Sequence, residues 1–163
     1  MASAVTFNID GLNNLQSALT RKSKPFVKIG VVDSKDNRHP VYPTDKGDTN
    51  STIARKHEFG IGVPERSILR KPMMTVMSKR LNNVPRDILN NNLSNGIDSL
   101  LEAIGQEGVD LVDDNFKQQG IPTGWRPLSD GTLENRKRHN RSSTKILIDS
   151  GQLESSFGYE VVS

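Results

Sequence analysis

His57-Glu58 is the first place in this chain where residue types hint at chemistry, because a His-Glu pair on a helix opens the zinc-protease motif. That motif needs a second histidine four residues after the first, so that both imidazoles share one helical face. Position 61 is Ile61, and the other histidines, His39 and His139, stand in polar stretches without ligand spacing. A hydrogen-bonded structural role is therefore expected for His57, and no metal or cofactor is called for. Gly60-Ile61-Gly62 has too few glycines to cradle phosphates and no Lys-Ser/Thr follows it. Asp149-Ser150-Gly151 lacks the glycine before the serine that a nucleophile elbow requires. The adjacent carboxylates Asp113 and Asp114 would point in different directions from a helix. Nothing in these patterns assembles an enzyme's active site.

Charge offers a different kind of chemistry. Met1–Arg86 carries fifteen Lys/Arg against seven Asp/Glu, whereas Asp87 onward carries seven against twelve. The basic run Arg136-Lys137-Arg138-His139-Asn140-Arg141, with Lys145 beyond, would bind phosphates through charge alone. It contains no aromatic residue on which a base could stack, and a solvated or subunit-facing loop explains it as well. Asp98, Glu102, Glu107, Asp110, Asp113 and Asp114 form an acidic set with no basic residue between the first and last. Its functional reading is a face lining a channel, with Asp110, Asp113 and Asp114 towards the lumen, or a face meeting a basic partner. A solvated helix face is the plain alternative.

The elements that must position these residues follow from periodicity. Val5–Ile9 alternates apolar and polar as a half-buried strand does, and Leu12, Leu15 and Leu19 recur at helical spacing before Pro25. Phe26–Val32 is rich in β-branched residues, as a central strand is. Asp33–Asn50 then reads as one long loop, of the length that is usually functional. Asn50-Ser51-Thr52 offers an N-cap for a short helix ending at Gly60, where a left-handed turn is expected. Met73, Met74, Met77, Leu81 and Val84 fall at helical intervals up to a kink or break at Pro85. Ile97, Leu100, Leu101, Ile104, Leu111, Val112 and Phe116 make the stripe of a long helix reaching about Gln118, in which Gly105 and Gly108 weaken the helix or let something pack close. A short helix is expected from Ser129–Asp130 towards Arg138, Asp149 or Ser150 is placed to cap the turn before Leu153, and Phe157–Val162 alternates as a final strand.

The pattern predicts one α+β domain over residues 1–163: a small mixed sheet built from N- and C-terminal strands, several helices and one long loop, 33–50. The hydrophobic fraction, 33%, is low for a chain of 163 residues, so much of its surface must be polar, loop-rich or in contact with other subunits. The chain has no cysteine, which removes disulfides and thiolate sites and suits a reducing cytoplasm. Met1–Asp10 lacks the pattern of a signal peptide, and no run approaches the ~20 apolar residues of a membrane span, so a soluble protein made in the cytoplasm is expected.

Several short signals occur in a recognisable order. Ile53-Ala54-Arg55-Lys56-His57-Glu58-Phe59-Gly60, then Val63-Pro64-Glu65-Arg66, then Leu69 and Pro72, resembles the alanine, His-Glu-Phe-Gly, Ile/Val-Pro-x-Arg signature of phage virion morphogenesis proteins. Trp125-Arg126-Pro127-Leu128-Ser129 with Thr132 and Lys137 resembles that group's Trp-x-x-Leu passage. Ile146-Leu147-Ile148-Asp149-Ser150-Gly151-Gln152-Leu153, with Ser155 and Ser156, resembles its close. The likeness covers about a third of the chain, and structural residues carry it: His57, Glu58, Phe59, Gly60, Pro64, Arg66, Trp125, Leu128, Leu147, Gly151 and Leu153.

The group includes tail-completion and head–tail joining proteins of long-tailed phages. The resemblance implies a non-enzymatic virion protein, located at the neck, that forms a homo-oligomeric ring expected to be hexameric. Its neighbours would be head connector or stopper proteins and a tail tube or tail terminator protein, with viral DNA passing through the lumen unread. The loop 33–50 is the first candidate for reaching a neighbouring subunit, and Arg66 is expected to reach Glu58 or such a neighbour. The alternatives are a tail terminator or other connector ring, an assembly factor absent from the particle, and a small DNA-binding protein using Arg136–Arg141.

Overall fold

The computed structural model describes residues 13, 16, 17, 20, 24–39, 47–82, 91–93 and 95–162. The expected strand Val5–Ile9, the leucine spacing 12/15/19, the loop residues Val41 and Tyr42 and the break at Pro85 lie outside them.

The α+β reading holds, and strands distant in sequence lie side by side. β1 (Phe26–Val31) pairs with β2 (Phe157–Val162), antiparallel throughout, in the register Phe26↔Val162 to Val31↔Phe157. Strand alternation places Val27, Ile29, Val31, Phe157, Tyr159 and Val161 on one face. The other face carries Phe26, 49% exposed, and the cross-strand pair Lys28–Glu160, whose Nζ and Oε2 lie 3.3 Å apart. Both partners of that pair are open to water, so it adds little stability.

The apolar face is covered by the long helix Ile97–Lys117, whose bounds match its stripe. Gly105 and Gly108 make the close approach possible. A Cβ at Gly105 would stand 2.4 Å from Cδ2 of Tyr159, and one at Gly108 2.4 Å from Cδ1 of Ile29. These glycines give up helix propensity, about 1 kcal/mol each relative to alanine, so that the helix can sit directly on the strand side chains. From the same helix Leu111, Val112 and Phe116 enter a core completed by Ile68, Trp125, Leu153 and Phe157. Phe116 stacks edge-on against Trp125, with ring centroids 5.4 Å apart.

In sequence, β1 is followed by α1 (Asn50–Phe59) and by α2, a continuous helical run over 70–82; the long helix is then α3, and Asp130–Arg138 is α4. α1 is capped by Thr49, one residue before the expected Asn50–Thr52, because the Thr49 hydroxyl accepts from the Thr52 amide. Asn50 is instead buried and donates its Nδ2 to the Lys35 carbonyl, 2.9 Å away. Gly60 ends α1 in the expected left-handed conformation, φ 69°.

The middle of α2, Met73–Met77, winds as a π-helix. Thr75 and Ser78 donate their hydroxyls to the carbonyls of Lys71 and Met74, which draws those carbonyls away from an ordinary i−4 ladder. The wider turn buries Met77 but leaves Met74 71% exposed, so Met74 does not belong to the inward stripe that its spacing predicts. α4 begins at Asp130, as expected, and Ser129 caps it by accepting from the Thr132 amide.

The loop 33–50 is less loose at its ends than its composition implies. It opens with a 3-10 turn, Asp33–Lys35. Asp36 accepts from the amide and hydroxyl of Ser51 at 2.6 and 2.9 Å. His39 and Gln152 exchange two hydrogen bonds, of 2.7 and 3.2 Å, between His39 backbone and Gln152 side chain.

A candidate docking cleft and its supports

Three stretches that stand far apart in sequence wall one cleft of about 400 Å³. His57, Pro64 and Arg66 come from the end of α1 and the turn after it; Leu128, from the segment leading into α4; Leu147, Gly151 and Leu153, from the passage before β2. These are seven of the eleven residues that carry the resemblance. The remaining four support the cleft from behind or stand apart from it.

Glu58 points away from the cleft and takes on the most demanding structural role of the four. Its carboxylate accepts from the Ser67 hydroxyl at 2.5 Å and from the amides of Ile68, Leu69 and Arg70 at 2.7, 2.9 and 3.0 Å. Those amides lead into α2, where no earlier carbonyl accepts from the first donors of the helix, so an anion there satisfies donors and complements the helix dipole together. Ser67, fully buried, is the next link: its carbonyl accepts from Nε1 of Trp125 at 2.9 Å and from Nδ2 of Asn115 at 3.3 Å. Phe59 is 59% exposed, with the Arg70 guanidinium over its ring.

Arg66 does not reach Glu58 as the sequence suggests, because the helix start has already claimed that carboxylate. Its Nε and Nη2 donate to the carbonyls of Arg126 and Pro127, at 3.0 and 3.2 Å, joining the first wall of the cleft to the second. Arg136 joins the second to the third. It is buried, its Nη1 donates to the carbonyls of Ser143 and Lys145 at 2.8 and 2.9 Å, and its Nε lies 3.7 Å from Asp149. Asp149 is thereby an ion-pair partner of Arg136. Leu147 adopts a left-handed backbone, φ 59°, at the cleft wall.

The cleft is electropositive. Among the described residues Arg38, Arg66, Arg126 and Arg136 line it against the single carboxylate of Asp149. Burial, and then the charge of Arg136, push the Arg66 guanidinium below its ordinary pKa. His57 feels the same field: burial first, then Arg66, lower its pKa to about 4 against the opposing hydrogen bond at Pro64. Among the described residues its buried Nδ1 has no hydrogen-bond partner.

The depressed His57 pKa makes stability depend on pH. Between pH 6.5 and 4 the unfolded imidazole binds a proton that the folded one refuses, so stability falls as pH drops through that window and is unaffected above it. Allowing for partial exposure, the histidine's share is on the order of 2 kcal/mol by pH 4. Denaturant midpoints of the wild type should fall more steeply than those of His57→Gln between pH 6.5 and 4. Parallel curves would show that His57 titrates normally. Asp36, whose pKa is lowered by the Ser51 amide, adds its own loss only below the ordinary carboxylate value of 3.8.

The other candidate residues are dispersed. Asp114 and Glu107 both hold Arg80 of α2, at 3.2 and 2.6 Å, and Asp113 pairs with Lys117 at 3.4 Å. Asp110 is exposed and accepts from Gln106. Within the basic run, Arg136 is consumed internally and Arg138 pairs with Glu134 on the surface. Among the described residues no group of three or more His, Asp or Glu is placed to hold a metal ion, and no helix is long and apolar enough to cross a membrane.

Sequence reasoning misses Ser67, Asn50 and Asn115 as buried polar hubs, and Arg38 and Arg126 as cleft residues. Asn115 and Ser67 carry no local signal, since their partners lie many residues away. Arg126 does stand inside the Trp125–Leu128 passage that carries part of the resemblance.

A sequence model of the phage virion morphogenesis family matches residues 76–163, which takes in α3, α4, β2 and two of the three cleft walls. No curated protein and no solved structure matches the chain.

Proposed function

Because the chain belongs to the phage virion morphogenesis family, we propose that it is a tail-completion, head–tail joining protein of a long-tailed phage, a subunit of a ring between head connector and tail tube. This reading rests on how the motif residues are used. Glu58, Arg66 and Trp125 spend their polar atoms on the chain's own backbone, and the cleft that Arg66 lines opens to solvent with cationic walls. Such an arrangement supports recognition by another macromolecule. Large apolar side chains left on the surface, among them Phe26, Phe59, Ile61, Met74 and Ile121, are further area for subunit contacts.

Rings are built from heterologous interfaces, in which two different patches of one chain meet. The loop 33–50, with both ends fixed by hydrogen bonds, is suited to reach across such a contact. The partners on this reading are connector or stopper proteins on one side and tube or terminator proteins on the other, with DNA crossing the lumen unread. A tail terminator would share the architecture and differ in position.

The test is to add purified chain to a lysate of phage lacking this gene. Recovery of plaque-forming particles from preformed heads and tails supports joining. No recovery, with the chain folded and in excess, contradicts it. Salt-dependent duplex binding by the free chain at physiological ionic strength would favour the DNA-binding alternative instead.

A further inference from the structure

The cationic cleft has a counterpart on the same chain. α3 presents Glu102 and Asp110 to solvent, and none of its acidic residues lines the cleft, so the two are separate surfaces. We propose that the cleft walled by Arg38, Arg66, Arg126 and Arg136 receives the acidic face of α3, at Glu102 and Asp110, from a second copy of this chain. This rests on the ring reading and gives its interface a location. The acidic face is then turned to a basic neighbour rather than to a channel.

Three observations carry the assignment. Among the described residues four arginines and one carboxylate line the cleft, and Arg66 is buried with hydrogen bonds to carbonyls but no carboxylate within ion-pair distance. An incoming carboxylate would supply the missing charge at a partly desolvated position, where a pair is worth more than on open surface. Next, about 400 Å³ admits protruding side chains but not a duplex, and two of the lining arginines, Arg66 and Arg136, are buried. Finally, the two patches are different in kind and lie on one chain. Each copy therefore offers an acceptor and a donor, as a closing head-to-tail ring demands.

The absence of cysteine makes the contact directly testable. Arg126→Cys combined with Asp110→Cys places the only two thiols of the chain on the proposed partner surfaces. The Arg126 substitution spares the cleft floor, because Arg66 is held by the Arg126 carbonyl and not by its side chain. Phage carrying the double variant would be purified and treated with a short bis-maleimide. The expected result is a ladder of multiples of this chain, absent from each single-cysteine variant. Arg126→Cys with Glu102→Cys, which moves the second thiol about two helical turns towards the start of α3, provides another pair should the first misfold.

Particles that contain the protein but yield no ladder from either pair overturn the interface while leaving the neck assignment standing. A cross-link from the Arg126→Cys thiol to a different particle protein overturns the choice of a second copy. Absence of the protein from wild-type particles overturns the neck reading and this inference together.

Discussion

Glu58→Ala is expected to destabilise the fold by about 3–5 kcal/mol, since it removes a charged acceptor from several buried donors at once. The carboxylate holds the amides of Ile68, Leu69 and Arg70 and the hydroxyl of Ser67. Ile68 and Ser67 are 1% and 0% exposed, so water cannot replace the lost acceptor without opening the core. The damage would spread through Ser67, whose carbonyl receives the Trp125 indole. Glu58→Gln keeps one acceptor oxygen and should cost roughly half as much, because hydrogen bonds to a neutral acceptor are weaker. Chemical denaturation of wild type and both variants measures these costs. A loss below about 1 kcal/mol for the alanine variant would mean that the start of α2 does not depend on this carboxylate, since a typical net hydrogen bond alone contributes that much.

Gly120→Ala is expected to be comparably severe for a different reason. Gly120 has φ 67°, where a side chain costs roughly 1 kcal/mol or more. The new methyl would also stand 2.0 Å from Cγ and 2.1 Å from Cδ2 of Trp125. The indole cannot give way cheaply, because it is edge-on to Phe116 and its Nε1 is bonded to Ser67. Displacing it forfeits much of what Trp→Ala would, about 3–5 kcal/mol. Trp125 is the chain's single tryptophan, so its fluorescence reports on the event alone. The variant should show emission shifted towards that of a solvated indole, with a lower unfolding midpoint. An unchanged spectrum and midpoint would show that this turn relaxes away from the ring.

These two sites mark the boundary of what the sequence makes legible. Local patterns carry over well: the β-branched run of β1, the alternation of β2, the stripe of α3, the left-handed stop at Gly60 and the start of α4 near Ser129–Asp130 all depend on residues within one or two turns of each other. Gly105 and Gly108 announce a close approach, though only the fold shows that Tyr159 and Ile29 fill it. Glu58 and Arg66 are the opposite case. Both stand out in the sequence, but their partners are chosen by how α1 meets the start of α2 and how the Trp125–Leu128 segment returns, which no spacing rule encodes. The π-helical turn in α2 is likewise hidden, because regular helical spacing assumes a constant 3.6 residues per turn. The candidate cleft is legible as three motifs but not as one place.

That convergence also explains why the motifs resemble no catalytic pattern. Buried arginines joined to carbonyls, a serine shared between a carboxylate and an indole, and a histidine held neutral all preserve a shape. Shape together with positive charge is what a subunit contact requires.

Electron micrographs of phage with a stop codon in this gene would show whether the chain completes the joint between head and tail. The predicted field holds DNA-filled heads and separate tails of regular length that fail to join. Intact, infectious particles would contradict that role outright, and tails of uncontrolled length would replace it with tail termination.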